Sequence, residues 1–304
     1  MPNVCNVDGK IVPEAEAVVP VLDRGFLFGD SVYEVLRTRQ GIPFAWREHL
    51  QRLRSSAAAI TMPVEVGDRD LMARIVTTIR ASFGRADAAQ ERYIRLIVTR
   101  GTGSGPRIDL AAAPGPLRIV VIVRALDPAA IGRPVRAAVV RRRSDPGVTA
   151  DPQVKSGNYR SNISGRAEAR ARGADECVFV DELGHVTEAS TANLYAVFGG
   201  AVRTPPIGRG LLAGITRALL IRCAADAGML VEEVPIAAAS LQDADEIFLS
   251  GTVRDLAPVV ALDDRSVGSG AAGVVTARLQ QVFAAWCAER AADDGDALRE
   301  LGVA

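Results

Sequence analysis

The chain has 304 residues and a mass of 32.1 kDa, enough for two domains or one large α/β domain. Apolar residues make up 48% and charged residues 24%, which excludes a disordered chain, and 28 glycines without a triplet period exclude a collagen-like one. Thirty-six basic residues balance 36 acidic ones and 5% are aromatic, which argues against nucleic acid or an anionic membrane as the main partner.

In chain order, Val4 to Val7 reads as a strand, Asp8-Gly9 as a turn and Ile11-Val12 as its return. From Ser31 to Thr38 the residues alternate, with Val32, Glu34 and Leu36 on one face and Tyr33, Val35 and Arg37 on the other. Gln40-Gly41 then turns the chain into a strand over 42–46. Apolar spacing predicts a helix over 47–60 through Leu50, Leu53, Ala57 and Ile60, and a second over 68–83 through Leu71, Ile75 and Ile79. Strands over 92–99 and 117–123 complete a small N-terminal α+β domain, 1–123. The segment RALDPAAIGRP, 124–134, has the punctuation of an interdomain linker.

The larger C-terminal domain, 135–304, opens with a strand over 135–140, a loop to Lys155 and a helix over 161–171. Strands over 177–180, 185–188, 194–197 and 201–203, a helix over 216–227, a strand over 246–249 and a helix over 274–289 follow. The run VVRRR, Val139 to Arg143, reads as a solvated strand end, and the tail AADDGDALRELGVA as frayed. The N-terminus has neither the basic nor the apolar region of a signal peptide, and no run reaches the ~18 apolar residues of a membrane helix. A soluble cytoplasmic protein is therefore expected. Four cysteines without a CxxC and two histidines leave a metal almost no ligands, so buried thiols and no metal site are expected.

Lysine is scarce: Lys10 and Lys155 stand against 34 arginines. Arginine forms no Schiff base and does not act as a neutral base, so lysine chemistry falls on one of these two. Lys10, beside a turn glycine, reads as a surface charge; Lys155 lies in DPQVKSGNY between a loop and a helix. In GRGLLAGITRALL, Gly214 precedes a helix opened by Ile215 and Thr216, and free N–H groups beside a hydroxyl make a seat for phosphate or a simple cap. LSGTVRDL offers a similar case at Thr252, and Arg52 lies off its helix's apolar stripe, able to reach an anion. Glu188 ends a strand before an uncharged stretch, facing a buried partner or solvent. Tyr93 and Arg95 project together, roughly 7 Å apart, as a grip for a carboxylate or as a solvent-facing pair.

Taken in order, DRGFLFGDSVYEVLR, REHLQRL, YIRLIVTRG, KSGNY, VTEASTANLY, LLAGITR and EIFLSGT resemble the class IV aminotransferases, the fold type IV pyridoxal-phosphate enzymes. The likeness runs from residue 23 to about 260 and implies the two-domain fold of that family, a smaller α+β domain and a larger cofactor domain. It also implies pyridoxal 5′-phosphate as cofactor, amino acids and 2-oxo acids as substrates, and a homodimer in which loop residues reach the partner's site. By resemblance Lys155 is the lysine that carries the cofactor, Glu188 the carboxylate on its pyridine nitrogen, and Tyr159 and Leu212 neighbours of its ring. Arg52, the backbone of Ile215 and Thr216, and Thr252 match the phosphate cup. Phe28, Tyr33, Arg37, Tyr93 and Arg95 fall where the branched-chain members build the substrate pocket.

The family divides by substrate. YIR and KSGNY look like branched-chain aminotransferases of L-amino acids, whereas DRGFLFGDSVYEV also looks like D-amino acid aminotransferases. The latter grip the carboxylate with an Arg-x-His, and the loop TRGTGSGPRIDL has Arg107 but no histidine. Val253 and Arg254 stand where branched-chain enzymes usually carry small residues; Val253 is counted with the substrate residues, and Arg254 would narrow or recharge the pocket. A branched-chain-like L-specific transaminase is favoured. A D-amino acid aminotransferase, also open to (R)-amines, and an aminodeoxychorismate lyase stay open beside it. A non-catalytic binder fits poorly, since it needs no electron sink.

Overall fold

The computed structural model describes residues 3–82, 90–113, 115–142 and 153–303. The chain forms two compact units: one holds residues 1–126, 154–158 and 287–304, the other 127–153 and 159–286. The crossover between Leu126 and Asp127 falls inside the expected linker, 124–134. A contiguous division does not describe the rest. The strip around Lys155 and the end of the last helix both return to the first unit.

In the first unit, β1 (Val4–Val7), β2 (Lys10–Pro13), β3 (Ser31–Arg39), β4 (Ile42–Pro43), β5 (Arg92–Thr99) and β6 (Arg118–Ala125) form one sheet in the order β2-β1-β6-β5-β3-β4. All its pairings are antiparallel. The turn between β3 and β4 uses Gln40 and Gly41 at φ 53° and 78°, the left-handed pair that matches the strands' own twist. Period-two alternation puts Val32, Leu36, Ile94, Leu96 and Val98 into the core. There they meet Leu50 and Leu53 of α2 (Trp46–Ala59), after the short α1 (Arg24–Phe28), and Leu71 and Ile75 of α3 (Asp68–Ser82). The expected strand over 42–46 is corrected to Ile42–Pro43, because Ala45 turns left-handed at φ 53° to start α2. Phe83, the end of the expected second helix, lies outside the described residues.

The second unit is built on a nine-stranded sheet. Its members are β7 (Val135–Arg141), β8 (Glu176–Val180), β9 (Val186–Ala189), β10 (Asn193–Phe198), β11 (Ala201–Thr204), β12 (Val231–Glu233), β13 (Glu246–Gly251), β14 (Asp255–Leu262) and the two-residue β15 (Arg265–Ser266). The order is β12-β11-β10-β13-β14-β7-β8-β9, with β15 on β14. Strand β14 carries Pro258, which argues against a central strand. The proline is accommodated because the parallel ladder to β7 begins only at Val259. Helices α4 (Arg160–Ala171) and α5 (Ile215–Asp226) belong to this unit.

The last helix, α6 (Val274–Glu300), corrects the frayed tail. Ala297 and Leu298 are buried in the first unit's core, and buried Asp294 accepts the Ala45 N–H at 2.8 Å. All four cysteines are buried, and none forms a disulfide among the described residues. Among the described residues no helix is long and apolar enough to cross a membrane.

Candidate active site

Lys155 sits on a strip that runs antiparallel beside β3. Its carbonyl accepts the Tyr33 N–H at 3.0 Å, Gly157 N–H reaches the Ser31 carbonyl at 3.0 Å, and Ser156 bridges to Val32. Its own N–H donates to Ser56 Oγ on α2 at 3.1 Å. The approach is close at Gly157, where an added Cβ would lie 2.5 Å from Ser31 Oγ and displace that hydroxyl. The lysine is thus held to the first unit by its backbone, with Nζ 4.6 Å from the Tyr33 ring centroid.

Behind this strip lies a buried ionic cluster that the sequence reading passed over. Glu34, in register with the apolar Val32 and Leu36, is fully buried. It accepts Arg52 Nε and Nη2, each at 2.7 Å, and meets His49 Nδ1 at 2.7 Å. Burial drives the carboxyl of Glu34 upward, but the Arg52 charge and hydrogen bonds, with His49, outweigh it and hold it at about 2. Burial lowers His49, against the pull of Glu34, and the charges of Arg52 and Lys155 lower it further. The available signal was a carboxylate on the core face of a strand, before a helix bearing His and Arg three residues apart.

The opposite face of this sheet carries Tyr33, Arg37, Tyr93 and Arg95. Arg37 and Tyr93 are cross-strand partners, and the Arg95 guanidinium lies 4.0 Å from the Tyr33 ring centroid. Among the described residues Arg95 meets no carboxylate. Phe28, ending α1, is half-buried, 5.1 Å from the Arg24 guanidinium. Arg107 is exposed on its loop, and the loop is held by buried Arg24, which donates to the carbonyls of Arg107 (2.7 Å), Ile108 (3.0 Å) and Asp109 (3.3 Å). The sequence assigned Arg24 no role.

In the second unit Glu188, on β9, accepts Arg142 Nη2 at 2.9 Å on one oxygen and the Leu212 N–H at 3.1 Å on the other. A carboxylate offers about four lone-pair sites, so these two bonds leave room for a further donor. Arg142 also donates to the Gly210 carbonyl at 3.1 Å and lies 4.6 Å from the Phe179 ring centroid. This corrects the reading of VVRRR as a solvated strand end at Arg142; Arg143 lies outside the described residues. Asn193 Nδ2 holds the Leu212 carbonyl at 3.0 Å, and Gln153 clamps the same loop through Leu211 and Ala213.

That loop delivers the N-terminus of α5. Gly214 is its N-cap, without a side-chain cap, so the N–H groups of Ile215 and Thr216 open the helix as an anion seat. A Cβ at 214 would lie 1.9 Å from Asn193 Oδ1. Thr252 and Val253 lie in the turn between β13 and β14. Tyr159, half-buried, is the N-cap of α4. Arg254, expected to narrow or recharge the pocket, donates through Nη2 to Glu176 Oε2 at 2.8 Å. Its Nη1 is buried without a hydrogen-bond partner.

The first unit therefore offers an amine and the Arg52 guanidinium, whose Nε and Nη2 meet Glu34, and the second an open helix start and a carboxylate able to accept one more proton donor. These groups fit a phosphorylated pyridine aldehyde. Residues 31–262 match the family model for amino-transferase class IV. A putative branched-chain-amino-acid aminotransferase of Methanocaldococcus jannaschii is 33% identical over 280 residues, 91% of this chain and 94% of that protein. The D-alanine aminotransferase of Bacillus licheniformis is 28% identical over 282 residues, 90% of this chain and 93% of that protein. Among solved structures, a T.th. branched-chain amino acid aminotransferase with pyridoxamine 5′-phosphate superposes with a TM-score of 0.82 at 29% identity, covering 95% of each chain. The chain belongs to the class IV aminotransferases. It is an aminotransferase that works with pyridoxal 5′-phosphate, in the fold the sequence resemblance implied.

Proposed function

We propose that this enzyme exchanges the amino group between an α-amino acid and a 2-oxo acid such as 2-oxoglutarate or pyruvate, with branched L-amino acids as preferred donors. When bound, the cofactor supplies a sink for the electrons left at the substrate's Cα. Lys155 carries the cofactor and moves the Cα proton, because of the chain's two lysines it is the one whose amine lies beside the Tyr33 ring. Glu188, held by Arg142 and the Leu212 N–H, accepts the proton-bearing pyridine nitrogen. Arg52, the N–H groups of Ile215 and Thr216, and Thr252 hold the phosphate, and Tyr159 and Leu212 flank the ring.

The observation that carries the substrate reading is the sheet face beside Lys155. Arg95 lies against the Tyr33 ring, with Arg37 and Tyr93 adjacent, so apolar and aromatic surface stands next to a cation. One pocket must accept a branched side chain in one half-reaction and an acidic one in the other, and such a face serves both. Phe28 and Val253 complete it in this reading. The test is a donor panel of L-leucine, L-valine, D-alanine and an (R)-amine against 2-oxoglutarate and pyruvate. L-Leucine is expected to react best; robust turnover of D-alanine with none of L-leucine overturns the preference.

The exposed Arg107, on a loop that Arg24 holds in shape, favours the second reading, a D-amino acid aminotransferase. In that case Arg107→Ala costs about 1.5–3 kcal/mol of transition-state stabilisation for amino acids and spares an amine without a carboxylate. We also propose a homodimer. Phe26 of α1 and Ile108 of the loop are exposed on two segments joined by Arg24 and by the pairing of Asp23 with Thr102.

A further inference from the structure

Arg254 Nη2 donates to Glu176 Oε2 at 2.8 Å and to Thr191 Oγ1 at 3.3 Å. Glu176, the first residue of β8, is 1% exposed. Its other oxygen accepts the backbone N–H of Cys177 at 3.1 Å and of Ser190 at 3.3 Å, and the Ser190 hydroxyl. A carboxylate with so many donors has no freedom to turn, so it is a fixed anchor. It ties together the segment just past Glu188 and the turn that carries Thr252. That turn is further attached by the Gly132 N–H on the Arg254 carbonyl, at 2.9 Å. It leaves through Asp255 at φ 53°, a left-handed conformation that residues other than glycine seldom adopt unsupported.

We infer that Arg254 is a positioning residue for the phosphate end of the cofactor site: through Glu176 it holds the turn in the shape that presents Thr252 to the phosphate. The inference rests on the reading of Thr252 as a phosphate ligand. Both contacts are made by Nη2, a charge-assisted donor shared between Glu176 and Thr191, so a lysine ammonium, with three donors, should reproduce part of the tether.

The test compares pyridoxal 5′-phosphate with pyridoxal, which lacks the phosphate. Full-length wild type, Arg254→Gln, Arg254→Lys, Thr252→Val and the double variant Glu176→Gln/Arg254→Met are stripped of cofactor and titrated with each, binding being read from the visible absorption band. Arg254→Gln is expected to weaken the phosphorylated cofactor about tenfold while pyridoxal stays within about twofold, so the preference for the phosphate falls. Arg254→Lys restores part of it. The double variant leaves no buried carboxylate unpaired, so it regains thermal stability and keeps the weakened preference.

Proportional weakening of both ligands by Arg254→Gln, or recovery of the full preference in the double variant, makes Arg254 merely structural and overturns the inference. An unchanged preference with a raised KM for the amino acid overturns it too, in favour of substrate contact. Thr252→Val separates the two layers. If it lowers the preference and Arg254→Gln does not, the tether alone is wrong; if it leaves the preference intact, the phosphate reading of Thr252 fails and the inference falls with it.

Discussion

Lys155 stands out by composition before any fold is known, because 34 of the 36 basic side chains are arginines. Its neighbours in space are less legible: Ser56 on its N–H and Tyr33 beside its amine come from other elements. Lys155→Ala should lose the visible absorption of bound cofactor and essentially all turnover, measured on the purified protein; normal turnover would remove the basis for every role assigned above. Glu34 supplies a pH dependence. Its carboxyl is held at about 2 against an ordinary 4.5, so the stability it contributes is complete above about pH 4.5 and is lost as the pH falls toward 2. His49, also lowered, must take up a proton at the expense of the fold below its ordinary 6.5, in the same direction. The stability gap between wild type and Glu34→Gln, from urea unfolding, should therefore shrink by on the order of 3 kcal/mol between pH 7 and pH 2. A gap that does not change would mean that the cluster is not charged as described.

Helix α4 packs so closely on β8 that Gly165 cannot carry a side chain. An added Cβ would lie 2.4 Å from the Phe179 ring and 3.3 Å from Cys177 Sγ. Alanine is the better helix former by ~1 kcal/mol, yet overpacking costs typically ~1–3 kcal/mol, and here the obstacle is an aromatic ring that is itself 2% exposed. Gly165→Ala should lower the melting temperature, and a rise would show that the helix shifts freely. Strong alternation made β5 readable residue for residue over Arg92–Thr99. Pro258 hid β14, and the polar letters after Glu289 hid the end of α6, where Ala291, Ala297 and Leu298 keep the buried stripe. Local composition reports the average of a helix; packing depends on a single face.

For the whole molecule, Val18, Val21, Phe26, Ile108 and Leu110 are exposed on the segments that Arg24 and Asp23 join, with Ile108 at 82%. Exposed apolar surface concentrated on adjoining segments marks an interface more often than chance exposure does. Phe26→Asp is expected to shift the sedimentation coefficient from dimer to monomer and to raise the KM for the amino acid. A wild-type protein that sediments as a monomer at micromolar concentration would refute the homodimer.

Sequence alone determined the family, the glycine-led start of α5 and the two-faced strands β3 and β5, and singled out Lys155 as the candidate lysine, because each depends on residue type at short spacing. Only the tertiary structure decided that Lys155 belongs to the first unit, that Glu34 fixes Arg52, and that Arg142 and Arg254 close on Glu188 and Glu176. The physical reason is charge. An arginine's partner is whichever carboxylate the fold brings within about 3 Å. Arg254 and Glu176 are 78 residues apart in the chain, so no local pattern in the sequence pairs them.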